Sequence, residues 1–307
     1  MNNTSNNTVD IISDLLGTIQ NFDASNLIAP KDSIAPSYAT ELGIRSLIFN
    51  AMSNGLTLSG QHFTIPDSQD ISRYKWHRYK NGMIIDDLKT LFTSCHVISF
   101  ADWSDIFGAS DLWDGLLRDI IKPLPKKQFE FIFYLGDPTK RSVQEVDEIL
   151  DIISGFSLYG QVTLVLAADE ASKLWMVLNG YDPAMSSSSP RLPFPEEKYH
   201  SIFNTMNINH LLICGVNQTL SFSKQGRFEL VNRSHNNVRI AKDVRSIFNA
   251  GYCLGLQLQL VISQCVALGH AACGSFIENG ISPDRNALLS YINSWMADLL
   301  AAPITAS

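Results

Sequence analysis

Four aspartates, Asp102, Asp105, Asp111 and Asp114, crowd a tryptophan-containing stretch of this 307-residue chain. Upstream, "RYKWHRYK" at 73–80 interleaves Arg73, Lys75, Arg78 and Lys80 with Tyr74, Trp76 and Tyr79. Paired carboxylates can do general acid–base work, and basic residues alternating with aromatics can hold single-stranded nucleic acid. Each has a plainer reading that the sequence favours. The aspartates suit helix caps and solvated helix faces. The basic–aromatic run reads as one arm of a hairpin, with Asn81-Gly82 fit for a type I′ turn and its cations keeping an exposed edge from pairing with another chain. The seven histidines show no H-x-x-x-H or H-E-x-x-H spacing, so no metal site is expected. The five cysteines, Cys95, Cys214, Cys253, Cys265 and Cys273, include no C-x-x-C pair and read as small buried hydrophobes of a reducing compartment. No G-x-S-x-G, Walker loop or G-x-G-x-x-G is present.

Composition narrows the classes. Hydrophobic residues make up 45% and charged residues 17%, enough to bury a sizeable core. The net charge of −7 argues against electrostatic capture of nucleic acid or of an anionic membrane. The opening "MNNTSNNTVD" has neither a basic nor an apolar signal region, so residues 1–9 are expected to be disordered and the protein cytoplasmic. The weakly charged stretch 251–277 is interrupted by Gln257, Gln259, Gln264 and His270, which favours two buried helices over a membrane span.

Positioning elements follow from periodicity. "VDIISDLLGTIQNF" has helical spacing, "SYATELG" suits a short helix and "IRSLIFNA" a strand. From 94 to 215 strands alternate with helices: "CHVISFADW", a helix stopped by Pro123, "FEFIFYLGD", a helix with Ser142 as N-cap and Glu145 completing a capping box, "QVTLVLA", and a helix closed by Gly180. A Ser/Pro-rich loop at 182–195, which contains Ser186–Ser189, precedes a helix at 196–206 and the strand "HLLICG". A hairpin, "TLSFSKQGRFELVN", and three helices from 246 onward complete the chain. The alternation predicts one α/β domain over 10–307 with a mainly parallel sheet, helices on both faces, and ligands at the carboxyl ends of the strands.

Three stretches carry a family resemblance: "FIFYLGDPTKRS", "VTLVLAADEASKL" and "FNAGYCLGL…CVALGHAACGSF". They resemble the ribokinase/phosphofructokinase-B carbohydrate kinases. These stretches match the family's strand ending in Asp-Pro, its strand followed by Asn-x-x-Glu, and the helix pair behind its Gly-Ala-Gly-Asp loop. The resemblance implies a three-layer α/β/α sandwich; the Gly-Gly of the family's substrate motif has no counterpart before residue 50, and the first strand and sugar-covering lid look shortened or, for the lid, absent.

It also implies γ-phosphate transfer from Mg·ATP, with an Asp as base and a glycine-rich helix N-terminus holding the developing charge. Here the catalytic Asp position is Ser246, which cannot act as a carboxylate base. The anion-hole positions are Asp243, Val244 and Arg245, whose side chains crowd a site built for glycine. Ala167 replaces the Asn, while Glu170 remains, most simply as an exposed first-turn helix acid. Asp137, Glu170, Gly215 and Asn249 mark the region where nucleotide or metal would lie. The expectation is a pseudokinase-like homologue with no cofactor, binding a protein partner or small metabolite, with room for a homodimer. The alternative is an active carbohydrate or nucleoside kinase using ATP/Mg, with the base relocated to Asp243 or Asp137.

Overall fold

The structure is a computed structural model that describes residues 3–21, 47–52, 55–60, 76–79, 85–86, 88–89, 92–93, 96–100, 103–105, 108–125, 128–182, 193–215, 217–233, 244–281 and 283–301. A six-stranded sheet forms its centre: β3 (Val97–Phe100), β4 (Phe129–Tyr134), β5 (Gly160–Ala167), β6 (His210–Cys214), β7 (Gln218–Ser223) and β8 (Gly226–Val231), adjacent in that order. The first four strands are parallel, and β7 and β8 continue antiparallel as the expected hairpin. A separate two-stranded sheet pairs β1 (Leu47–Met52) with β2 (Gly55–Gly60), the latter a strand without a clear sequence signal.

Strand alternation sorts side chains onto two faces. The first face is almost wholly apolar. Phe100, Phe129, Phe131, Phe133, Leu164 and Leu211 pack against α2 (Ala109–Gly115), α3 (Val143–Phe156), α4 (Ala168–Leu178) and α5 (Pro195–Thr205). Phe100 and Phe133 stack at 4.8 Å, and Phe156 meets both edge-on.

The second face mixes Ile132, Tyr134, Val165 and Leu212 with buried Ser99, Thr163, Thr219 and Ser221. It lies under α1 (Asn3–Asn21), α6 (Val244–Gln257), α7 (Ile262–Asn279) and α8 (Arg285–Ala301). Hydrogen bonds join the layers there: Thr163 Oγ1 to Tyr252 Oη at 3.2 Å, and Thr219 Oγ1 to His270 Nε2 at 2.6 Å. At Gly251 a Cβ would fall 2.7 Å from the Leu268 carbonyl oxygen, so the absent side chain is what lets α6 lie on α7.

Two expectations change. Among the described residues the polar start is helical: α1 begins at Asn3, Thr8 is buried, and its hydroxyl accepts from the Val231 N–H at 3.3 Å. Trp76–Tyr79 is a helical turn rather than a hairpin arm, because buried Trp76 donates its backbone N–H to Asp111 and its indole N–H to Asp119. Gly115 leaves room for that ring, since a Cβ there would meet Trp76 Cγ at 2.1 Å. Trp76 is therefore no base-stacking platform. The Asn81-Gly82 turn, the 37–43 helix and most of the Ser/Pro-rich loop lie outside the described residues. The helix before Pro123 relaxes to π geometry over Leu116–Ile121, with Lys122 N–H donating to the Leu117 carbonyl at 2.9 Å. Asp105 and Asp114 serve surface ion pairs with Lys140 and Arg118.

Candidate functional site

The carboxyl ends of β4, β5 and β6 converge with the first turn of α6. β4 leads into Leu135-Gly136-Asp137, where Gly136 takes φ 71°, a left-handed conformation that favours glycine. Asp137 caps the short 3₁₀ turn Pro138–Lys140: its Oδ1 accepts from the Thr139 N–H at 3.0 Å and the Thr139 hydroxyl at 2.7 Å. Its Oδ2 accepts from Lys173 Nζ at 2.8 Å. Burial alone would raise the Asp137 carboxyl, but the bonds from Lys173 and Thr139 outweigh it and hold the group below the usual carboxylate range. The same bond raises Lys173.

β5 ends at Ala167, which has no side chain to cap α4. Glu170 supplies the cap instead, with Oε2 accepting from the Ala167 N–H at 2.9 Å. Its other oxygen, Oε1, pairs with the guanidinium of Arg245. Glu170 is thus buried and fully engaged, not the exposed helix acid that its position suggested. The Arg245 guanidinium carbon also lies 5.8 Å from the centroid of the Tyr134 ring.

α6 begins at Val244, so Val244, Arg245 and Ser246 belong to its first turn rather than to an open loop. Asp243 lies outside the described residues. Asn249 faces the sheet and is buried; its Oδ1 accepts from Ser99 Oγ and Tyr134 Oη at 3.2 Å each, and from Cys253 Sγ at 3.6 Å. Gly215 shapes the β6–β7 connection. Its N–H donates to the Gln218 carbonyl at 2.9 Å, its own carbonyl accepts from Asn232 Nδ2 at 3.0 Å, and a Cβ would fall 2.8 Å from Gln218 O.

Of the expected site residues, Asp137, Glu170 and Arg245 do come together at one end of the sheet, each already held by the chain. Asn249 and Gly215 serve packing and the hairpin. Lys173, four residues after Asp169 on α4, was not foreseen; its i,i+4 spacing from Asp169 was the available signal. Among the described residues, no group of three or more His, Cys, Asp or Glu could hold a metal ion, and no helix is long and apolar enough to cross a membrane. Cys253, Cys265 and Cys273 are buried thiols, and burial raises all three.

Residues 57–295 match the profile of the prokaryotic ketohexokinases. The chain belongs to this family. Its ribokinase-like fold is shared by solved kinases at low identity. Adenosine kinase from Trypanosoma brucei brucei is 10% identical with a TM-score of 0.50, over 77% of this chain and 66% of that one. Ribokinase from Thermotoga maritima is 11% identical with a TM-score of 0.48, over 67% and 59%. A putative ribokinase II from E. coli, solved with ATP and Mg²⁺, is 10% identical with a TM-score of 0.49, over 83% and 71%. The ketohexokinase-family chain therefore spans under two-thirds of the length of the first two. No curated protein matches its sequence.

Proposed function

We propose that this chain is a degenerate ketohexokinase-family protein that does not transfer phosphate and works as a binding or interaction domain, in the cytoplasm. The observation that carries the reading is the state of Glu170. One of its oxygens caps α4 and the other is neutralised by Arg245, a residue standing where the family resemblance places an anion-hole glycine. Ser246 at the base position and the extension of α6 back to Val244 support the same reading.

The described donors do not fit a nucleotide-bound magnesium ion. Glu170 is held by a guanidinium and Asp137 by an ammonium, and a metal would have to displace both cations.

The second reading is an active kinase acting on a ketohexose, favoured by a family match that runs through the altered segment. It needs a relocated base. Asp137 suits that role poorly, because a base working at neutral pH needs a pKa near 7 and this carboxyl is held low. The test is coupled ADP release over a panel of ketohexoses, aldoses and nucleosides. The expected result is no acceptor-dependent release. Acceptor-dependent release would establish the second reading, and its loss in Ser246→Ala would show that this loop still takes part.

A further inference from the structure

A cavity of about 460 Å³ opens between α3, α4 and α5, and neither Glu170 nor Arg245 lines it. Leu150, Trp175, Ile202 and Met206 give it an apolar floor, each less than a tenth exposed. Asp147 and Asp151 stand one helical turn apart on its α3 wall, both exposed. Among the described residues neither has a Lys or Arg partner, and the lining contains no cation. Ser201 adds a hydroxyl from the α5 wall opposite, where the Thr205 hydroxyl donates to the Ile202 carbonyl at 2.9 Å.

We propose that this cavity is a second ligand site, taking a small organic amine whose ammonium meets Asp147 and Asp151 and whose apolar body lies on the Trp175 floor. The volume falls in the range of a small-molecule cleft, and the lining is mixed, with six polar side chains beside five apolar ones. The charge is set by the lining: two carboxylates without a cation favour a positive ligand and repel a negative one. The ammonium belongs at the aspartates and not over the indole, because Lys198 Nζ already lies 5.6 Å from the Trp175 ring.

The site also has a mechanical link to the degenerate one. Trp175 and Glu170 lie on α4, five residues and so about 7.5 Å of helix apart. A ligand that fixes Trp175 therefore acts on the helix that carries the Glu170–Arg245 pair. None of this depends on whether phosphate is transferred.

The experiment is a ¹H–¹⁵N NMR titration of the full chain with 4-phenylbutylamine, 4-phenylbutanol and 4-phenylbutyrate. Saturable shifts at the Trp175 indole and the α3 and α5 amides are expected with the amine, weaker ones with the alcohol and none with the acid. Asp147→Asn/Asp151→Asn should weaken amine binding roughly threefold to tenfold, the range for two exposed ion pairs. These are exposed positions, and an unchanged melting temperature of the free variant checks its fold. Ser201→Tyr should block the amine by volume alone. On saturation the Glu170 amide should move as well, and an unmoved Glu170 would remove the link through α4. Equal binding of all three probes, binding unaltered by the double variant, or shifts only elsewhere would overturn the site. So would a groove that ignores the amine and takes a Lys/Leu amphipathic helical peptide instead.

Discussion

Arg245 and Glu170, separated by 75 positions in the chain, form one ion pair that closes the carboxyl end of β5 over the first turn of α6. Glu170 is nearly enclosed, while Arg245 keeps about a third of its side chain in water. Arg245→Met retains the apolar stem but strands the carboxylate. Between the small worth of an exposed pair and the large cost of breaking a buried one, the expected loss is about 1–2 kcal/mol. Arg245→Met/Glu170→Gln should lose less than the sum of the two single changes, because the second removes a charge already left without its partner. Urea unfolding of the four proteins measures this, and strict additivity would mean that the pair contributes nothing.

The Asp137–Lys173 contact predicts an acid limb of stability. The Asp137 carboxyl is lowered on folding, so its contribution is complete above the ordinary carboxylate range and disappears as pH falls through its folded value. Melting temperatures between pH 2.5 and 7 should fall less steeply at the acid end for Asp137→Asn. The variant should also start lower at pH 7. Parallel curves would show that the contact is not formed in solution.

Glu130 predicts the opposite slope. It lies on the second face of β4 near Tyr252 and Cys265, and burial raises its carboxyl to about 7. The unfolded chain ionises first, so stability is greatest below the ordinary value of 4.5 and declines as pH rises from there through about 7. Glu130→Gln should therefore raise the melting temperature at pH 8 and leave it unchanged near pH 4. A variant that gains equally at both would tie the effect to packing rather than to charge.

Two glycines should respond with opposite signs. Gly251→Ala drives a Cβ to 2.7 Å from a backbone oxygen of α7, at a helix contact that can relax little, and should cost about 1–3 kcal/mol by overpacking. Gly17→Ala, in the interior of α1 with no atom within 4 Å of the new Cβ, should gain about 0.5–1 kcal/mol from helix propensity. Thermal unfolding of both variants decides the matter, and Gly251→Leu should be worse than Gly251→Ala.

Much of the architecture was legible because it is written locally. The apolar runs of β4, β5 and β6, the Ser142/Glu145 capping box and the β7–β8 turn each depend on residues close in sequence, and all three occur where periodicity and turn chemistry place them. The failures share a different cause. Trp76 looked like part of an edge strand because its immediate neighbours alternate, but its partners, Asp111 and Asp119, come 35 and 43 residues later. Glu170 looked solvent-exposed because nothing nearby in sequence announces Arg245. The reading of the base and loop positions rests on the family resemblance alone, and the Glu170–Arg245 ion pair, which joins two elements far apart in sequence, had no local signal.

Arg285 donates to the carbonyls of Ile19, at 3.1 Å, and Gln20, capping the end of α1 from 266 and 265 residues downstream. That contact sets a timetable for synthesis. α1 leaves the ribosome with Ile11, Ile12, Leu15 and Ile19 uncovered, and the helix that helps to receive them has not yet been made. At about 5–20 residues per second the wait is roughly 13–50 s, long enough for an apolar stripe to meet a chaperone or another nascent chain. The second face of the sheet is therefore completed only once α8 has been made, and ribosome-bound chains stalled before residue 285 should expose α1 to protease.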